Sequence, residues 1–158
     1  MAPVSFDDVY PDLLGRGYRA AFRVLGRREE AEDIACEALA RAWSRWKSVA
    51  SHAEPWVVRV SVNLAIDASR RRRWESTQVL LDEPVEDSQA ELRLDLVKAV
   101  RALPRRQREV VALRFFGDLT EKATADALGI DVGTVKSHTA RALAALRTRT
   151  NEGEHHVS

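Results

Sequence analysis

From Ala31 to Trp46 the apolar residues Ala31, Ile34, Ala35, Ala38, Leu39, Ala42, Trp43 and Trp46 recur at steps of three and four. That spacing fits the 3.6-residue turn of an α-helix and gives one buried stripe. A half-buried strand needs a two-residue alternation, and no stretch of this chain keeps one over strand length. Helices therefore have to supply the whole architecture. Phe6 to Leu25 reads as the first, with Ser5 or Asp7 as cap, Pro11 tolerated in the early turns and Gly26 as stop. Arg28 to Trp46 is the second. Residues 47–54 read as a loop, and Pro55 suits the first turn of a third helix ending near Arg73. Trp56, Val57, Val60, Leu64 and Ala68 line one side of it, and Val58, Val62 and Ile66 widen the apolar surface, which predicts the central helix. Arg59, Asn63, Asp67 and Arg70 form a narrow polar strip between them.

Ser76 to Ala90 has no helical period and holds Pro84 among acids, the composition of a flexible linker. Helical spacing returns with Leu92, Leu96, Ala99, Val100 and Leu103, and Pro104 breaks it. Arg105 to Phe116 follows, with Val110, Val111, Leu113, Phe115 and Phe116 apolar and Gly117 as the stop. Thr120 to Leu128 is a short helix, Gly129 and Ile130 turn the chain, and Asp131 caps a last helix to about Arg149. The expectation is an all-α fold of two small domains. Residues 1–75 form a three-to-four-helix bundle, 76–90 an acidic linker, 91–150 a four-helix domain, and 151–158 a disordered tail. Each half has near 70 residues, so each buries a small core and is marginal alone.

Charge is segregated along this organisation. Residues 70–73 are four consecutive arginines. Between Glu75 and Asp95 stand Glu75, Asp82, Glu83, Glu86, Asp87, Glu91 and Asp95 against the single base Arg93, and bases exceed acids again from Arg101 to Arg149. Basic, acidic, basic points to two anion-binding units on an acidic connector. Cys36 is the only cysteine, which excludes an internal disulfide and a multi-cysteine metal site. Of the histidines only His155 and His156 are close together, in a polar tail. No metal, no cofactor and no nucleophile–base constellation is expected, so the chain does not read as an enzyme. No apolar run approaches the roughly 20 residues that span a bilayer. The opening residues also lack a basic stretch followed by an apolar one. A cytoplasmic protein without membrane insertion is expected.

Leu119 to His138 carries helix-turn-helix spacing. Ala125 is small where a second helix crosses close by, and Gly129 fits a turn that needs a left-handed residue. Ile130, Val135, Ala142 and Leu146 pack the second helix inward. Thr134, Lys136, Ser137, His138 and Arg141 are left on its outer side near the N-terminal end, where a recognition helix meets the major groove. The run Arg70–Arg73, following Asn63 and Asp67 and flanked by Trp56 and Trp74, suits a single-stranded nucleic acid, which takes charge neutralisation and stacking together.

With these residues in view the chain resembles the extracytoplasmic-function sigma factors of bacterial RNA polymerase, the two-domain type. Residues 29–43 (EEAEDIACEALARAW) resemble the polymerase-binding helix of the sigma-2 domain. Trp56 to Arg73 resembles its promoter-melting helix. Residues 103–115 (LPRRQREVVALRF) and 134–137 (TVKS) resemble the sigma-4 domain. The resemblance implies a sigma factor that binds the polymerase core through both large subunits and directs promoter recognition, melting and initiation, with promoter DNA as the second partner. An anti-sigma factor is a further partner class of the family. It also implies roles: Asp33, Glu37 and Arg41 for polymerase; Asn63, Asp67, Arg70, Arg71, Arg72 and Arg73 for the melted −10 strand; Thr134, Lys136, Ser137, His138 and Arg141 for the −35 duplex. A flipped base would sit near residues 47–54. Cys36 stands where the family commonly has Gln, Thr124 where Ile is usual, and His138 where Arg is common. The string TVKSH is also similar to the output domain of LuxR-type regulators. A conventional two-domain regulator is therefore the alternative, although residues 1–75 lack the alternating strands and helices of a receiver half. A helical adaptor without DNA binding is the third reading, and the basic outer face opposes it.

Overall fold

The structure is a computed structural model. It describes the backbone of residues 3–78 and 88–155 and the side chains of residues 3–72 and 89–149. Among the described residues eight α-helices run in order: α1 Phe6–Leu25, α2 Arg28–Ser44, α3 Trp46–Val49, α4 Ala53–Gln78, α5 Ser88–Arg101, α6 Arg105–Val111, α7 Glu121–Leu128 and α8 Val132–His155. A 3₁₀ turn at Ala50–His52 joins α3 to α4, and a π-helical turn at Ala112–Phe116 continues α6. There is no strand among the described residues.

α1 starts beside Ser5, whose side chain makes no capping bond, and ends at Gly26 in the left-handed region at φ 66°. Asp7 and Asp8 in its first turn complement the positive helix end. α2 stops at Ser44, because Arg45 (φ −120°, ψ 23°) leaves helical geometry. Trp46 therefore begins a new turn. Its indole N–H donates to the Val4 carbonyl at 3.1 Å, and its ring meets Phe6 edge-on at 5.3 Å. The loop expected over 47–54 is thus the rest of α3, the 3₁₀ segment and the first two residues of α4, and Pro55 sits in the first turn of α4 as expected. Trp43 was expected inside the α2 stripe; at 66% exposure it lies outside it. Ala31, Ala35, Ala38, Leu39 and Ala42 make the buried face, so small side chains let α2 lie close on its neighbours.

α4 runs to Gln78, beyond the expected end near Arg73, and α5 begins at Ser88. The linker expected over 76–90 is helical at both edges, and its centre lies outside the described residues. α5 departs from its predicted stripe: Leu92 and Leu96 are exposed, and burial starts at Val97 and continues through Ala99, Val100 and Leu103. Periodicity names a helix face but not how far packing reaches along it, and the first turns of α5 stand clear of the core. Phe115 is likewise exposed, with the Arg114 guanidinium 5.9 Å from its ring centre. α8 is longer than expected and carries the tail as helix to His155. Once a helix is nucleated, each further residue adds a hydrogen bond for little cost.

The largest departure is in the core. Two separate small cores were expected. One cluster instead joins Ala20, Ala21, Val24, Leu25, Val58, Val62, Ala65 and Ile66 of the N-terminal half to Val97, Val100, Leu103, Val110, Leu113, Phe116, Val135 and Ala142 of the C-terminal half. A second cluster, Leu13, Ala38, Leu39, Ala42, Val49 and Val57, lies within the N-terminal half. α4 is central, as its two apolar sides predicted: Val57 faces the second cluster, while Val58 and Val62 face the first.

Candidate nucleic-acid and polymerase-binding surfaces

Of the expected DNA-reading elements, the helix-turn-helix has the most sharply built local structure. Thr120 caps α7 by accepting the Ala123 N–H at 3.0 Å. Its carbonyl takes the Thr124 hydroxyl at 2.8 Å. Thr124 is fully buried, so that bond is what makes a hydroxyl tolerable where an apolar residue is usual. Gly129 closes α7 at φ 66°, and no atom lies within 4 Å of the place a Cβ would take. The turn therefore needs glycine for its backbone conformation rather than for space. Ala125 is buried, and Val135 and Ala142 fasten α8 to the interior at 0% exposure.

This leaves Lys136, Ser137 and Arg141 exposed on α8, with Thr134 and His138 half-buried beside them. Lys136 Nζ lies 3.9 Å from Glu121 Oε2, and Arg114 Nη2 lies 3.8 Å from Glu121 Oε1. Contacts this long, with both partners part-exposed, are weak. His138 Nδ1 is buried without a hydrogen-bond partner.

On α4, Asn63, Asp67, Arg70 and Arg71 are exposed along the strip. Arg72 differs, because it pairs with Glu30 of α2 and so ties the two helices together. The side chain of Arg73, like that of Trp74, lies outside the described residues. Trp56 is half-buried and packs on the N-terminal cluster, which makes it a core residue here. On α2, Asp33, Glu37 and Arg41 are exposed. Arg41 Nε donates to Glu37 Oε1 at 3.0 Å, an i,i+4 pair with about half of each side chain in solvent. Such a pair contributes about 0.2–0.5 kcal/mol and leaves both groups available.

Two features were not foreseen. Phe6, Asp7, Tyr10, Cys36, Leu39, Ala40 and Trp43 line a shallow groove of about 300 Å³ between the start of α1 and α2. Arg59 and Asn63 of α4 share a pocket of about 180 Å³ with Arg105, Arg108 and Glu109 of α6 and with Ala112. The α4 strip at i,i+4 spacing was visible in the sequence; that α6 would wall its first turn was not. No group of three or more His, Cys, Asp or Glu suited to a metal occurs among the described residues. No helix among them is long and apolar enough to cross a membrane.

Residues 9–75 match the family model of sigma-70 region 2, and residues 93–146 match that of sigma-70 region 4. The chain belongs to the sigma-70 family of RNA polymerase sigma factors. It is 40% identical to an RNA polymerase sigma-E factor of Streptomyces antibioticus over 124 residues, 75% of this chain and 69% of that one. It is 29% identical to the extracytoplasmic-function sigma factor SigW of Bacillus subtilis, over 92% of this chain and 87% of that one. It is 31% identical to SigL of Mycobacterium tuberculosis, over 85% and 82%. In fold it resembles the sigma factor RpoE of Bartonella quintana, solved with the anti-sigma factor NepR, with a TM-score of 0.54 over 92% of this chain and 96% of that one at 22% identity. The chain is an alternative sigma factor, and the LuxR-like reading falls away because residues 9–75 match a sigma domain and not a receiver half.

Proposed function

We propose that this sigma factor binds the RNA polymerase core through α2 and reads its promoter at two places, a melted −10 strand along α4 and a −35 duplex along the start of α8. The exposed row Lys136, Ser137 and Arg141 on a helix-turn-helix anchored by Val135 and Ala142 carries the reading. Lys and Arg at a recognition-helix N-terminus supply phosphate and guanine contacts, and the helix dipole favours a phosphate there. On α4, Asn63, Asp67, Arg70 and Arg71 offer hydrogen bonds and positive charge on one face, which suits an unpaired strand. On α2, Trp43 and the groove beside Tyr10 adjoin the Asp33, Glu37 and Arg41 face. Large exposed aromatics next to charges are the composition of a protein-binding centre. Arg72 is better explained as a tie to Glu30 than as a strand contact. The working place is the cytoplasm, with no chemistry of the factor's own. Run-off transcription with purified core polymerase on a cognate promoter is the test. Initiation that depends on this chain is the expected result, and its absence would overturn the reading.

A further inference from the structure

We propose that the pocket between α4 and α6 is a binding site for a diphosphate group, either inorganic pyrophosphate or the terminal diphosphate of a nucleotide. Arg59 and Asn63 stand one turn apart on α4, and Arg105, Arg108 and Glu109 stand at i, i+3 and i+4 on α6, so each helix gives the pocket one face. Ala112, just past the end of α6, adds only a methyl group. Three guanidinium groups thus line the space against one carboxylate. That carboxylate is already committed. One Glu109 oxygen accepts Arg105 Nε at 3.2 Å, and the other accepts Arg106 Nη1 at 3.1 Å. Arg108 is half-buried and donates from Nη1 to the Arg101 carbonyl at 3.3 Å, a neutral acceptor. The side chain of Arg59 is half-buried too, and among the described residues it makes no hydrogen bond or ion pair; nor does that of Asn63. A guanidinium that has given up part of its water without gaining an acceptor is costly. An oxyanion in the pocket supplies the acceptor that the chain itself does not.

Size and charge select the occupant. Sites that enclose a drug-sized ligand have roughly 300–1,000 Å³. At about 180 Å³ this pocket is smaller, so it takes a compact head group and leaves any attached nucleoside outside. Three arginines against one glutamate leave a surplus of two positive charges, which calls for a multiply charged anion. Guanidinium groups hold phosphoryl oxygens through paired parallel bonds. Arg59 on one wall and Arg105 and Arg108 on the other can each take a phosphoryl group of a diphosphate, with the Asn63 amide as a neutral donor beside them. A backbone phosphate of a nucleic-acid strand fits less well. It carries one negative charge and continues into sugar on both sides, which an open groove accepts and a walled pocket does not.

Titration calorimetry on the full chain tests this, with sodium pyrophosphate, orthophosphate, sulfate, ADP and AMP as probes at matched ionic strength and without magnesium. Pyrophosphate or ADP is expected to bind at one site per chain and about tenfold or more tighter than orthophosphate, sulfate and AMP. Binding of pyrophosphate with or without ADP assigns the free ion's chemistry, and binding of ADP alone assigns the nucleotide's; both support the site. Arg59→Gln is expected to weaken that binding about tenfold or more, because a charge-assisted contact is lost. Arg59→Lys, which keeps the charge but not the fork, should fall between. The exposed Arg19 of α1 lines no part of the pocket, so Arg19→Gln should bind as the parent does. Bound ligand should also raise the melting temperature of the parent and not that of Arg59→Gln. Circular dichroism of Arg59→Gln without ligand should match the parent, since the guanidinium makes no bond within the described chain. Equal affinity for pyrophosphate, ADP and sulfate would overturn the proposal, as would unchanged affinity in Arg59→Gln. So would a loss on Arg59→Gln that is larger for a single-stranded oligonucleotide with hydroxyl ends than for pyrophosphate or ADP, which would make the pocket a seat for a strand.

Discussion

At Gly129 the backbone sits at φ 66° in open space, whereas at Gly117 φ is −90° and Val58 stands where a Cβ would go. The two substitutions to alanine should therefore fail differently. Gly129→Ala forces a left-handed alanine and is expected to cost about 1–2 kcal/mol. Gly129→Asn should recover part of this, because asparagine tolerates that region. Gly117→Ala overpacks a contact between the halves and is expected to cost about 1–3 kcal/mol, with no rescue by asparagine. Urea midpoints of the alanine and asparagine variants at both sites check the pattern, and an asparagine at 117 that recovers as much as the one at 129 would contradict it. Thr120→Ala removes the side-chain cap on the Ala123 N–H and leaves the Thr120 carbonyl that accepts the Thr124 hydroxyl in place, for about 1 kcal/mol in the same measurement.

At the scale of elements, α2, α4 and α8 each present one exposed face opposite a buried one. For α8, a Lys136→Ala, Arg141→Ala double variant should initiate poorly from a −35-dependent promoter. A lost phosphate contact lowers the salt slope of duplex binding by about one unit per charge. A lost base contact instead costs roughly 1–3 kcal/mol at one position and relaxes preference there. Normal initiation by the double variant across a range of salt would show that α8 does not read DNA. For α2, reversing charge at Asp33 and Glu37 should weaken binding to core polymerase while circular dichroism is unchanged, since the Glu37–Arg41 pair carries only tenths of a kcal/mol. For α4, alanine at Asn63 or Arg70 should reduce transcription from duplex promoters more than from pre-melted ones, and an equal loss on both templates would place these residues in structural roles.

For the molecule as a whole, one core shared by both halves makes a specific demand on unfolding. All four tryptophans, Trp43, Trp46, Trp56 and Trp74, lie in the N-terminal half. Leu113 lies in the C-terminal half and is 1% exposed within the shared cluster. Leu113→Ala should cost about 2–5 kcal/mol. Because the halves unfold together, tryptophan fluorescence should report that loss although no tryptophan is near in sequence. Coincident midpoints by fluorescence and circular dichroism are the expected sign of one cooperative unit. A fluorescence transition that ignores Leu113→Ala would mean two independent units.

Much of this protein follows from local rules that the sequence states outright. The 3.6-residue period, Gly26 and Gly129 as left-handed stops and Thr120 before α7 determine the helices and the helix-turn-helix. The exposure of Lys136, Ser137 and Arg141 follows from the burial of Val135 and Ala142 on the same helix. What depends on partners far along the chain was decided only by the tertiary structure. Trp43 fits the apolar stripe of α2 by period yet meets no neighbour that would cover it, whereas Trp46, three residues on, is turned onto Phe6 and Val4 by the break at Arg45. Leu92 and Leu96 have helical spacing, but packing begins only at Val97. Arg72 reads as one arginine in a basic run until α2 brings Glu30 beside it. The two halves look independent because the acidic stretch between them has no period. Their union depends on Val58 meeting Gly117 and Arg23 meeting the Phe116 carbonyl, contacts 59 and 93 residues apart in sequence that no local pattern encodes.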